Sequence, residues 1–218
     1  MTAHFVQLLD ELQRRSLRMA SLVEDILQEA LEAAFDDNLA LAQRVIKRDR
    51  EVDAEEVQIE AETVRLMALY QPVGSDLRLL CTVLKVNSDL ERISDCSVNI
   101  AERAKHLDPR LVSNQVKAVF DMAAIVQQML RRVIQAYGDQ NAESGRKVHE
   151  QDDTVDNLYA QIVRSVVTDA ANNPDSMAAY LDIMSIAKNL ERIADHATNI
   201  AEDVMYLSTG EIVRHQRP

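Results

Sequence analysis

The sequence predicts an all-α protein made of two tandem, similar three-helix bundles, and three observations carry that prediction. Helix breakers are scarce: the 218 residues hold four Gly and four Pro, and none occurs before Pro72. Either residue disfavours a helix interior, so long runs are left free to coil. Apolar residues recur at three-or-four spacing, the period of an amphipathic helix, and no stretch alternates like a strand. The chain also repeats itself. LERISDCSVNIAE (90–102) aligns with LERIADHATNIAE (190–202) at an offset of 100, with nine of thirteen positions identical. Upstream, Val45, Asp49, Val52, Asp53 and Ile59 match Val148, Asp152, Val155, Asp156 and Ile162 at an offset of 103. Repetition at a fixed period marks a duplicated unit.

Six helices are expected, at about 4–35, 38–70, 75–106, 110–137, 141–171 and 174–207. The first carries the stripe Leu8, Leu12, Met19, Val23, Ile26 and Leu27. The 4–70 stretch is too long for one ordinary helix, and Asp36-Asp37-Asn38 turns it back, because Asp and Asn favour turns and N-caps. Asp139-Gln140-Asn141 occupies the same place in the second copy. Pro72 and Gly74 end the second helix, and Ser75 is the expected cap of the third, whose stripe runs through Leu80, Val83, Leu90, Ile93 and Ile100. Pro109, Gly138 and Gly145 are read as breaks around the fourth and fifth helices. Asn173-Pro174 places a cap and a proline at the start of the sixth. The bundles then occupy 1–107 and 108–208, followed by a tail at 209–218.

Composition excludes several functions. With 24 basic and 36 acidic side chains the net charge is −12. Nucleic-acid binding needs clustered Lys and Arg, so none is expected. An anionic membrane surface is an equally poor partner. No apolar stretch approaches a membrane span, so no membrane insertion is expected. MTAHFVQLLDELQRR lacks the basic and apolar regions of a signal peptide. Cys81 and Cys96 form neither a CxxC pair nor a disulfide framework, which suits a reduced, cytoplasmic setting.

Chemistry concentrates in paired acids. Each copy carries one pair four residues apart on its second helix and one on its third: Asp49/Asp53 with Glu91/Asp95, and Asp152/Asp156 with Glu191/Asp195. Four residues is just over one turn, so each pair projects from one face. Asn99 and Glu102, and Asn199 and Glu202, extend the stripe as further candidates. Carboxylates at the edge of a core need a counter-charge. Arg or Lys supplies one, and so does a hard cation, which oxygen-rich clusters suit. Acidic pairs are common on solvated helix faces, but a solvated face has no reason to keep them in register across two copies. Arg92 and Arg192 follow the glutamates and either pair with neighbouring acids or meet a partner. No Glu-x-x-His motif, nucleophile elbow or Gly-rich phosphate loop is present, so catalysis is not expected.

These motifs, together with QPVGSDLRLL (71–80) and NLERIADHATNIAEDVMYL (189–207), resemble those of the phosphate-uptake regulator family, PhoU, over about residues 4–207. The resemblance implies two similar bundles side by side, each with a metal centre on its paired acids. The metal would be iron, zinc, manganese, magnesium or calcium. It implies a negative regulator of phosphate uptake, a cytoplasmic adaptor between the ATPase subunit of a phosphate ABC transporter and a sensor histidine kinase, attached to membrane complexes only through those proteins. A homodimer is expected, because amphipathic bundles often retain an unpartnered apolar stripe. Two departures are visible. The residue before the motif Asp, often Gly in the family, is Ser94 in one copy and Ala194 in the other, and Cys96 stands where the second copy has His196. Two other readings compete: a helical metal-dependent enzyme of the carboxylate type, and a metal-free helical interaction module.

Overall fold

The computed structural model describes residues 3–36, 38–103 and 113–212. In chain order they form α1 (Ala3–Phe35), α2 (Leu39–Tyr70), α3 (Gly74–Arg103), α4 (Ser113–Asp139), α5 (Ala142–Asn172), a 3₁₀ turn (Pro174–Ser176) and α6 (Met177–Thr209). No strand occurs among the described residues, and none of these helices is long and apolar enough to cross a membrane. Helices α1, α2 and α3 pack on one another, as do α4, α5 and α6. The boundary expected at 107/108 lies outside the described residues.

Local chemistry explains most helix ends. The Leu41 amide donates to Asn38 Oδ1 at 3.1 Å, capping α2. Asn141 does the same for α5, accepting from the Glu143 amide at 3.0 Å. Gln71, at φ 47, closes α2 in a left-handed cap, its amide donating to Met67 O at 3.1 Å, and Pro72 follows. Four expectations need correction. α3 starts at Gly74, so Ser75 sits within its first turn and is not the cap. Asn173 makes no side-chain cap; Pro174 opens a 3₁₀ turn, tightened by the Ser176 amide bonding to Asn173 O at 3.1 Å, before α6 begins. Gly138 lies in the last turn of α4 and does not break it. Gly145 lies inside α5, where a Cβ would come within 3.1 Å of the Ala201 carbonyl oxygen, so it serves close helix packing.

The core runs through both bundles. In the first, Phe5, Met19, Ile26, Ile59, Leu66 and Leu90 are almost fully buried, and Phe5 stacks on Tyr70 with ring centroids 4.7 Å apart. The bundles meet along α3 with α6 and α1 with α4. Lys85 bonds Asp203 at 2.9 Å and Arg103 approaches Asp182 at 3.5 Å, so α3 and α6 run antiparallel. Arg131 with Glu24 (3.0 Å) and Tyr137 with Ser16 (3.1 Å) set the same sense for α1 and α4. Antiparallel contact between equivalent helices is the arrangement a pseudo-two-fold axis generates. It leaves the α2–α3 and α5–α6 hairpins as the two outward units.

Candidate functional site

The paired acids come together within each hairpin. In the first, the Ser94 hydroxyl donates to Asp49 Oδ1 at 2.6 Å, which joins the acidic side of α3 to that of α2. Burial holds Asp49 above the usual carboxylate range, and Asp53 and Asp95 add to the shift, opposed by the Ser94 hydrogen bond. Glu91 is raised by burial first and then by Asp95, with Arg92 acting against both. That arginine spans its neighbours, 3.1 Å from Glu91 and 3.0 Å from Asp95. Glu56 belongs to the same face and is raised by burial and then by Glu60 and Asp53. The sequence reading passed over Glu56, although it stands three residues beyond Asp53, on the same side of α2.

The second hairpin differs. Ala194 replaces Ser94, so the hydroxyl that caps Asp49 has no counterpart beside Asp152. Asp152 Oδ1 is buried without a hydrogen-bond partner, and so is the Thr198 hydroxyl. Thr198 stands close enough to favour the charged form of Asp152, but the pair falls short of hydrogen-bond geometry. Burial, Asp156 and Asp195 together push Asp152 up to about 6. Asp195 is raised by burial and then by Glu191 and Asp156, with Lys188 and His196 opposing. Lys188 reaches Glu191 at 2.5 Å and lies 5.4 Å above the Tyr159 ring, which takes the place of Glu56 in this copy.

The extended stripe does not hold together. Asn199 donates to Asp89 Oδ1 at 3.4 Å, and His196 Nδ1 lies 2.8 Å from the same oxygen, so both turn toward α3 across the bundle boundary. Glu202 stays with α5, 4.0 Å from His149. Asn99 is half-buried, and Glu102 is 3.7 Å from Arg103. Arg92 is committed to the acids beside it, whereas Arg192 is exposed. Cys96 is fully buried, and burial raises its thiol, so it is placed as core and not as a ligand.

The residues fit a cation in chemistry and charge. The donors are all carboxylate oxygens, which suits hard cations. Asp49, Glu91, Asp152 and Asp195 are each held above their usual range, and Asp152 Oδ1 is an acceptor lacking any donor. Each of these marks positive charge in short supply. The side chains are not gathered in advance: among the described residues no three of His, Cys, Asp and Glu stand close enough to hold an ion. Bringing three carboxylates onto one ion requires them to turn.

With this geometry in hand, comparison with known proteins is decisive. The PhoU domain family model matches residues 16–104 and again 119–204, one match for each helical repeat. The chain belongs to the PhoU family. A relative from Aquifex aeolicus, described as a phosphate-specific transport system accessory protein PhoU homolog, is 40% identical over 95% of this chain and 94% of its own. The crystal structure of PhoU from Pseudomonas aeruginosa superposes with a TM-score of 0.89 at 34% identity, covering 95% of this chain and 100% of that one. The phosphate transport system regulatory protein PhoU from Streptococcus pneumoniae gives 0.87 at 28% identity, over 96% and 99%. PhoU proteins form a regulatory accessory family and not an enzyme family, so the carboxylate-enzyme reading is set aside.

Proposed function

We propose that this PhoU-family protein is a negative regulator of phosphate uptake and of phosphate-starvation signalling. In this reading it is a cytoplasmic adaptor between the ATPase subunit of a phosphate ABC transporter and a sensor histidine kinase, and it acts as a homodimer. The observation that carries the proposal is full-length kinship to phosphate-transport accessory proteins, together with an acidic face kept in register on both repeats. Asp49, Asp53, Glu91 and Asp95 would hold one cation site, and Asp152, Asp156, Glu191 and Asp195 the other. A bound cation would supply the missing positive charge and tie the two helices of each hairpin together.

The test is genetic. In a strain deleted for this gene, a phosphate-responsive promoter fused to a reporter should fire in phosphate-rich medium. The wild-type gene should restore repression. Unchanged reporter output on deletion would refute the regulatory reading, and repression that persists without the transporter's ATPase subunit would refute the adaptor role.

A further inference from the structure

Each hairpin carries an outward strip that is acidic at one end and apolar at the other. On α3 the strip steps by four and three through Leu77, Cys81, Leu84, Ser88, Glu91 and Asp95. On α6 the same steps give Met177, Leu181, Met184, Lys188, Glu191 and Asp195. The facing helices continue it. Val64 shares a side of α2 with Asp53 and Glu60, and Val167 repeats Val64 on α5. Val64, Leu77, Val167, Met177 and Leu181 are 40–61% exposed. A single exposed apolar side chain is ordinary. Here Val64 and Leu77 recur as Val167 and Met177, at the offsets of the duplication, and each time next to the paired acids.

We propose that each hairpin strip is a docking face for a basic amphipathic helix of a partner protein. Seated between α2 and α3, or between α5 and α6, such a helix would turn a three-helix bundle into a four-helix one. The strip from Leu77 to Asp95 is about 27 Å long at 1.5 Å per residue, enough for a helix of about eighteen residues. Charge selects the occupant. Lys or Arg on one half would meet the acids, and Leu-like side chains on the other half would cover the apolar end. A second copy offering the same strip would set acids against acids. Because the two strips are related by the pseudo-two-fold, a partner presenting this helix twice fills both. The inference rests on the adaptor reading for its biological meaning, but its test does not.

The probe is a labelled eighteen-residue helical peptide, with Leu on one half of its contact face and Lys on the other. Its anisotropy is followed with the full-length protein in EDTA and near-physiological salt. Wild type should bind it. Leu181→Glu and Val167→Glu should each weaken binding at least about fivefold, as loss of an anchoring apolar contact does. Glu191→Gln/Asp195→Asn should weaken it too. The sign is diagnostic, because Leu181→Glu adds negative charge and would tighten mere attraction for a lysine-rich peptide. Val6→Glu, on the exposed side of α1, should have no effect, and circular dichroism confirms that each variant is folded. The proposal is overturned if wild type does not bind, if Leu181→Glu binds as well or better, or if Val6→Glu weakens binding equally. It is also overturned if Leu181→Glu converts a dimer to a monomer in sedimentation, which would give the strip to a second copy. Peptide binding that survives in a protein without reporter activity would sink the adaptor role alone.

Discussion

Exchanging Ser94 and Ala194 between the two repeats should exchange the behaviour of their acidic faces. Asp49 accepts the Ser94 hydroxyl at 2.6 Å, whereas Asp152 Oδ1 is buried with no donor. A buried polar group left unpaired costs about 1–3 kcal/mol. The carboxyl of Asp152 moves from 3.8 to about 6 on folding, so the folded protein holds that proton more tightly than the unfolded chain. The resulting stability is fully present below about pH 4 and is lost as pH rises through about 6. Ala194→Ser places a hydroxyl where Asp152 lacks one. It should lower the Asp152 pKa and flatten the rise in stability between pH 6 and pH 4. At pH 8 it should add about 1–2 kcal/mol, discounted for the partial exposure of the site. For a chain of this size each kcal/mol is worth about 2–4 °C in Tm. Ser94→Ala should cost a similar amount at pH 8 and move Asp49 further up. The assay is urea unfolding at pH 8 and pH 5 in EDTA. The reasoning is refuted if Ala194→Ser destabilises the protein at pH 8 and leaves the pH dependence unchanged, because the hydroxyl would then be buried without reaching Asp152.

Other substitutions test the packing. Gly145→Ala gains up to about 1 kcal/mol of helix propensity but drives a Cβ toward the Ala201 carbonyl, so calorimetry should show a net loss of about 1–2 kcal/mol. Leu90→Ala empties a fully buried site and should cost about 2–5 kcal/mol in chemical denaturation. Gly210→Ala places a side chain at φ 78 in the α6 cap and should lower stability by about 1–2 kcal/mol, read as Tm. Lys85→Ala takes a cation from the buried Asp203 carboxylate. It should cost about 1–2 kcal/mol at pH 7, an effect moderated by the exposure of Lys85 and reduced at acid pH when Asp203 is protonated.

Much of the fold was legible because a helix reports itself locally. Apolar spacing set the six helices, and Asn38 and Asn141 marked two starts through caps that depend on one side chain each. The duplication exposed the paired acids, which share a face because four residues make one turn. Other features depend on neighbours distant in sequence. Gly145 reads as a breaker until α6 is seen against it. Asn199 and His196 continue the acidic stripe by count, but Asp89 on another helix draws them away. Whether the acids are already gathered on an ion depends on rotamers, which spacing does not encode. The inequality of the two faces was legible in Ser94 and Ala194, but its consequence needed the hydroxyl's distance to Asp49.

The central claim is that the two acidic faces bind cations, and metal content tests it most directly. The protein should be purified without chelator or metal-affinity tag and compared, by elemental analysis, with an Asp49→Asn/Asp53→Asn/Glu91→Gln/Asp95→Asn variant. We expect stoichiometric iron, zinc, manganese, magnesium or calcium in wild type and partial loss in the variant, with the remainder held by Asp152, Asp156, Glu191 and Asp195. A wild-type protein that carries no metal, and takes up none when these cations are supplied, would contradict the claim and leave the acids as a charged docking surface.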